Sequence, residues 1–336
     1  MNQLSQTAKS VGVSEAAFST SRDVPTVSVV VPSYNHAAYV AFCLRSIMQQ
    51  TLSPLELLVI DDGSIDDSPK IIEQVLLGCS FRSELIVREN RGLSVTLNQG
   101  LTRVSGKYFA YLGSDDVWLP NFLAERTTLL QRRPGAVLGY GHAYLIDERN
   151  NIIDCTSHWA DYLDGNVQNM LLRTTAPMSP TVLYDREALA RHGWNEQSRL
   201  EDYELYLRLS SEGEFAFDPS VLAAWRWHQE NASWNQEMML AEQLAAQHRV
   251  REQLKLGYQE LEKLQRQIRF HRAEDFLRLG DKSRALALML ENLRGANSPF
   301  VIARMLVRLL IPNAFMQMRQ QKRHNRNIAR FGSIKI

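Results

Sequence analysis

Acidic residues are missing from the last part of this chain. After Glu291 there is no Asp or Glu, yet Arg294, Arg304, Arg308, Arg319, Lys322, Arg323, Arg326, Arg330 and Lys335 follow. A formal net charge of only +1 hides that asymmetry and provides no global field to draw the chain to nucleic acid. Cysteine is scarce as well. Cys43, Cys79 and Cys155 have no metal-ligand spacing and cannot all pair, which points to unreactive thiols in a reducing compartment. No stretch reaches the ~18 apolar residues needed to span a bilayer. Residues 1–24 have no apolar core like that of a signal peptide, and their Ser/Thr/Gln/Ala mix reads as a disordered segment. A cytoplasmic protein is expected, with any membrane contact made from the surface. Two enzyme classes are disfavoured by what is missing after the first apolar run. No G-x-G-x-x-G stands there, as a dehydrogenase would want, and no glycine- and lysine-rich phosphate loop, as a sugar nucleotidyltransferase would want.

What is present is a set of apolar runs that stop in small and acidic residues. VSVVVPSYN (27–35), LLVIDDGSIDD (57–67) and YFAYLGSDDVWLP (108–120) share this form. Strands of a parallel α/β sheet are covered on both faces and read as such continuous runs, and ligands gather at their carboxyl ends. Tyr34, Asp61, Asp62, Asp115 and Asp116 would then meet in one crevice, as a nucleotide and metal site requires. Between the strands, 38–50 has apolar residues at helical spacing, PKIIEQVLL follows Ser64 and Asp66 with Pro69 in its first turn, and 91–106 reads as a helix closed by Gly106. From 121 the order changes. A helix ends at Pro134, short strands are expected near 136–140, 181–184 and 221–226, and a helix over 200–213 ends at Gly213. The loop-rich stretch 141–180 between them suits a binding surface. Residues 236–336 read as wholly helical. The expected organisation is thus a short disordered start, an α/β domain over 25–235 and a helical region over 236–336.

The order of motifs resembles the family 2 glycosyltransferases of GT-A fold, with a Rossmann-like, mostly parallel central sheet. The resemblance is carried by VSVVVPSYNHAAYVAFCLRSIMQQ, LELLVIDDGSIDDS, ENRGLSVTLNQGL, GKYFAYLGSDDVWLP, SPTVLYDREAL, RLEDYELYLRL and WRWHQENAS, over about 27–235. It implies that Tyr34 stacks on the nucleotide base, that Pro32 shapes its turn, and that Asp62 accepts the N–H of a uracil-type base. It also places Asn90, Arg91 and Ser114 at the nucleotide. Asp115 keeps the last position of an Asp-x-Asp motif and His228 matches a late histidine, so both are expected at a divalent cation, Mn²⁺ or Mg²⁺. Gly113 stands where the first Asp of that motif would be. Asp202 is the expected general base, taking the proton of an attacking acceptor hydroxyl, with Glu201 in an orienting or acceptor-binding role. Trp194 falls where relatives place an aromatic near the acceptor.

Each residue also has a plainer reading: a turn aromatic for Tyr34, a turn and cap for the DDGS acids, a cap for Asp116, a dipole partner for Asp202, a buried histidine at 228, core packing for Trp194. The basic segment after Ser298 is amphipathic and fits lying on an anionic inner leaflet. Taken together, the sequence predicts an inverting, metal-dependent transferase. It would move a sugar from a nucleotide-sugar donor to a glycan or lipid-linked acceptor, in bacterial surface-polysaccharide assembly. A degenerate binding subunit, kept open by Gly113, is the alternative.

Overall fold

A computed structural model describes residues 26–228 and 235–336; the segment expected to be disordered, 1–24, lies outside them. In chain order the first half runs β1 (Val27–Ser33), α1 (Val40–Met48), β2 (Glu56–Asp61), α2 (Ser68–Leu76), β3 (Arg82–Val87), α3 (Leu93–Arg103), β4 (Tyr108–Tyr111), β5 (Val117–Trp118) and α4 (Phe122–Arg132). Then come β6 (Ala136–Ile146), β7 (Ile152–Cys155), α5 (Gln168–Leu172), β8 (Leu183–Asp185), α6 (Arg186–His192), α7 (Glu201–Leu209) and β9 (Glu214–Arg226). The remainder is helical: α8 (Gln236–Arg249), α9 (Tyr258–Leu279), α10 (Lys282–Glu291), α11 (Pro299–Leu310) and α12 (Asn313–Phe331).

The nine strands form one sheet in the order β3-β2-β1-β4-β8-β6-β9-β5, with β7 beside β6. Its first four strands are parallel, as the apolar runs required. Beyond β4 the sheet is mixed rather than mostly parallel: β8 pairs antiparallel with both β4 and β6, and β5 with β9, while β6 and β9 run parallel. β1 shows why its sequence is an unbroken Val run. Val29 and Val31 enter one core with Leu44, Ile47, Ile72 and Phe122 of α1, α2 and α4. Val30, on the opposite face, joins Leu97, Leu101, Tyr206 and Ala246 of α3, α7 and α8. Both faces are dry, so both parities of the strand are apolar.

Several expected boundaries shift, and the strand expected near 221–226 begins already at Glu214. α3 stops at Arg103, and Gly106 is not its cap. A Cβ there would stand 2.6 Å from Ser28 Oγ, so the missing side chain lets the entry to β4 lie against β1. The stretch 141–180 is less irregular than expected, because β6 continues to Ile146 and β7 and α5 follow. β6 passes Gly141 with a shift of register, and a Cβ there would stand 2.2 Å from Nη2 of the fully buried Arg126. That guanidinium is satisfied by Asp218 at 2.6 Å and by Thr181 O. The helix expected over 200–213 ends at Leu209, with the Gly213 N–H bonded to Leu209 O.

α8 joins the two parts of the chain. Leu240 and Leu244 pack into a separate core with α9, α10 and α11, whereas Ala246, followed by Val250 and Leu254 just past the helix, packs on the sheet side with residues of α7. Arg249 bonds Glu204 of α7 at 2.6 Å, which makes Glu204 structural. α12 returns to the sheet, where Asn327 Nδ2 donates to Ile153 O and Ile334 packs on Val117, Ile146 and Ile152. Among the described residues no single helix is long and apolar enough to cross a membrane. α11 and α12 pass that test only together, across a 100° bend.

Candidate active site

The carboxyl ends of β1, β2 and β4 and the start of α7 surround a cavity of about 340 Å³. Pro32 and Tyr34 line it from the end of β1, with Tyr34 half exposed. Asn35 follows at φ 54, a left-handed conformation that Asn tolerates, and its side chain accepts from Ile65 N. This turn swings His36 into the cavity wall, where Nδ1 lies 2.7 Å from Ser114 Oγ.

β2 supplies two acids with separate tasks. Asp61 is fully buried and accepts from the N–H and hydroxyl of Ser64, the turn role. Gly63 needs its φ of 82° and its bare Cα there, since a Cβ would stand 2.7 Å from Asn90 N. Asp62 lines the cavity. Its Oδ1 accepts from Arg91 N–H at 2.9 Å and pairs with Arg88 at 2.7 Å, and its Oδ2 accepts from Gly92 N–H at 2.7 Å. A carboxylate oxygen accepts twice, so Oδ2 keeps one lone pair for a ligand. Asn90 lines the cavity too, whereas Arg91 contributes its backbone and keeps an exposed side chain.

Ser114, Asp115 and Asp116 occupy the turn after β4. Asp115 Oδ2 bonds His228 Nε2 at 2.9 Å, and its Oδ1 lies 3.8 Å from His36 Nδ1. Burial pushes the Asp115 carboxyl up, but the hydrogen bond from His228 and the charges of both histidines outweigh it and leave it below the ordinary value. Asp116 is driven the other way, well above the usual carboxylate range, by burial and by Asp115. Its Oδ1 accepts from Arg226 N–H. The Arg226 guanidinium does not face the cavity. It donates to Asp115 O, Asp147 O and Asn150 Oδ1, at 2.7–2.9 Å, and thereby fastens the acidic turn. His36, Asp115 and His228 offer three ligand atoms within 4.8 Å of one another, a spacing and donor chemistry that fit a divalent cation.

The carboxyl pair opens α7, at its positive end. Glu201 lines the cavity. Asp202 accepts from the hydroxyl of Tyr111, itself a cavity residue, and from Trp194 Nε1 at 3.4 Å. Burial raises Asp202 to about 6, against the pull of its hydrogen bonds from Tyr111 and Trp194. Burial, then the charge of Asp202, raises Glu201 to about 8. Trp194 itself is only 3 % exposed, in contact with Phe109, Tyr111 and Tyr184. Its ring faces are covered, so the expected sugar-stacking surface is replaced by a hydrogen bond that positions Asp202.

Sequence reasoning missed His36, Tyr111, Trp225 and Ser179, all on the cavity wall. Only His36 left a signal, as a histidine in the same strand-end loop as Tyr34. A second cavity, about 300 Å³ and lined by Ile153, Trp227 and His324 among others, holds none of the expected site residues.

The family model described as glycosyl transferase family 2 matches residues 28–193, from β1 to the end of α6. The chain carries a family 2 glycosyltransferase domain. An uncharacterized glycosyltransferase of Rickettsia prowazekii is 27% identical over 213 residues, which are 61% of this chain and 64% of that protein. Chondroitin synthase of Escherichia coli is 27% identical over 215 residues, 64% of this chain and 31% of its own length. The chain therefore spans less than two thirds of these curated relatives. Among solved structures, a mannosyltransferase from Pyrobaculum calidifontis, in complex with GDP-Man and Mn²⁺, superposes with a TM-score of 0.57 at 16% identity. It covers 91% of this chain and 86% of its own. S. aureus TarS 1–349, in complex with UDP-GlcNAc, superposes at 0.50 and 14% identity, over 80% of this chain and 89% of its own. These likenesses establish a GT-A-like fold. The family 2 match stops before Glu201, Asp202 and His228; Glu201 lines the cavity, whereas Asp202 and His228 stand outside its lining, bonded to the lining residues Tyr111 and Asp115.

Proposed function

We propose that the protein is an inverting, metal-dependent glycosyltransferase that uses a nucleotide-sugar donor, with a uridine nucleotide as the first choice. One observation carries this reading: Tyr34, Asp62 and Asp115 of the family 2 domain and Glu201, which follows it in the chain, line a single cavity. The exposed Tyr34 ring offers a stacking face for the base, and the spare lone pair of Asp62 Oδ2 accepts an imide N–H. Pro32, Asn90 and Ser114 complete the wall around the nucleotide. Asp115 and His228 would hold a divalent cation, Mn²⁺ or Mg²⁺, which would offset the charge of a departing nucleotide diphosphate.

The two carboxyls of α7 divide the proton work. With values near 6 and 8, Asp202 is ionised at neutral pH while Glu201 keeps its proton. Asp202 therefore takes the proton of the acceptor hydroxyl as its oxygen attacks the anomeric carbon and the bond to the diphosphate breaks, inverting that centre. Glu201 donates a hydrogen bond that orients the acceptor. The acceptor is a glycan or a lipid-linked intermediate of cell-envelope polysaccharide assembly, met at the inner face of the membrane. Support for that last step comes from α11, where Phe300, Val307 and Leu310 are exposed in a segment that has cations and no acids.

Calorimetric titration with UDP, with and without Mn²⁺, tests the donor site. Metal-dependent binding that disappears in Asp115→Ala is expected. Asp202→Asn should keep that binding and lose UDP release from a panel of UDP-sugars given acceptor. Loss of both together would defeat the base assignment. No binding of UDP, TDP or GDP would favour a degenerate binding subunit, the reading that Gly113 suggests.

A further inference from the structure

We propose that His36 is a metal ligand, so that this chain grips its cation with two histidines and one carboxylate. The inference deepens the function proposed above and rests on it for the identity of the nucleotide. It begins from Gly113, the position without a carboxylate. A Cβ at Gly113 would stand 2.9 Å from Asp115 Oδ1 and 3.2 Å from Asp116 Oδ2. The turn as built thus has no room for a side chain there unless the acids move, and a further protein ligand must come from another element.

His36 is the group in place. Its Nδ1 lies 3.8 Å from Asp115 Oδ1, while His228 Nε2 approaches Asp115 Oδ2 at 2.9 Å. The donor atoms of all three lie within 4.8 Å of one another. Ligands about 2 Å from a first-row ion stand roughly 3–4 Å apart, which this group meets with small side-chain adjustments. The position is also built rather than incidental. Asn35 holds a left-handed turn just before it and the His36 backbone N–H donates to Ser68 Oγ at 3.0 Å; the 2.7 Å bond between Nδ1 and Ser114 Oγ would give way when Nδ1 ligates the ion. The His36 and His228 rings meet edge to face at 5.7 Å, fixing both.

The donor set carries a consequence for metal choice. Mg²⁺ demands oxygen ligands and sheds water reluctantly, whereas imidazole suits first-row transition ions such as Fe²⁺, Ni²⁺ and Zn²⁺, with Mn²⁺ the weakest binder of that series. Two imidazoles should favour Mn²⁺ over Mg²⁺ by roughly ten-fold or more in affinity, and Zn²⁺ over both.

The test is pulsed electron paramagnetic resonance on the full chain loaded with Mn²⁺ and UDP. Nitrogen couplings from two directly bound imidazoles are expected, falling to one in His36→Ala, with Mn²⁺ affinity weakened roughly ten-fold or more. The imidazole count in the unsubstituted chain does not depend on how well the variant folds, and metal-free melting curves report on the variant. One coupled imidazole alongside intact metal-dependent UDP binding would overturn the role of His36 and leave the proposed function standing. Absence of any Mn²⁺-dependent UDP binding would overturn both.

Discussion

Glu201 borders the cavity yet keeps its proton to about pH 8, against an ordinary value of 4.5, because burial and the neighbouring Asp202 oppose its charge. Between those values the folded chain binds a proton that the unfolded chain has released. Stability therefore falls as pH rises from about 4.5 to about 8. At pH 7 the span of about two and a half units corresponds to an upper limit of about 3 kcal/mol at 1.36 per unit. An open cavity admits water, and half that figure is the working expectation. Glu201→Gln keeps the shape of the protonated side chain and removes the titration. The variant should be more stable than the parent by about 1.5–3 kcal/mol near pH 7, and no more stable near pH 4.5. Denaturant unfolding at the two pH values, with UDP binding as a check on the site, measures the difference. A gain that is absent, or equal at both pH values, would refute the claim that a buried carboxyl is held neutral here.

Tyr111→Phe removes a hydrogen bond that favours ionised Asp202, so the acid limb of a pH–rate profile should move upward from about 6, by roughly one unit; a limb that stays in place would free Asp202 from that role. For the tail, sedimentation with anionic vesicles should retain the protein and neutral vesicles should not. Leu310→Ser with Phe300→Ser should weaken retention by about ten-fold or more, since each loses an apolar side chain worth about 2 kcal/mol. Equal retention on both lipids would reject the charge argument.

The parallel half of the sheet was legible because dry faces on both sides leave no polar positions, as Val29, Val30 and Val31 show. The acids at strand ends were legible because an apolar strand carries a buried carboxylate only where hydrogen bonds or charges meet it, as at Asp61 and Asp62. β6 was read short, since Gly139 and Gly141 break its apolar run. Its continuation depends on Arg126 filling the space at Gly141, a contact between residues far apart in sequence. The mixed order beyond β4 has the same cause, for short strands such as Leu183–Asp185 have no periodicity to announce their direction. Trp194 could serve equally as core or as platform by residue type, and only its neighbours decide. His36 was hidden because its partners arrive from residues 114, 115 and 228.

Arg226 bears on how the tail can be studied. Its guanidinium ties Asp115 O to Asn150 Oδ1, and Asn150 O in turn accepts from Ile334 N–H at 2.9 Å. The last residues are thus struts for the acidic turn as well as followers of the helices that would meet lipid. Cutting the tail away would loosen Asp115 and release the protein from vesicles in one stroke. A truncated chain that lost activity would say nothing about which of the two mattered. Point changes on the exposed face of α11, which leave Ile334 seated, are the way to separate anchoring from catalysis.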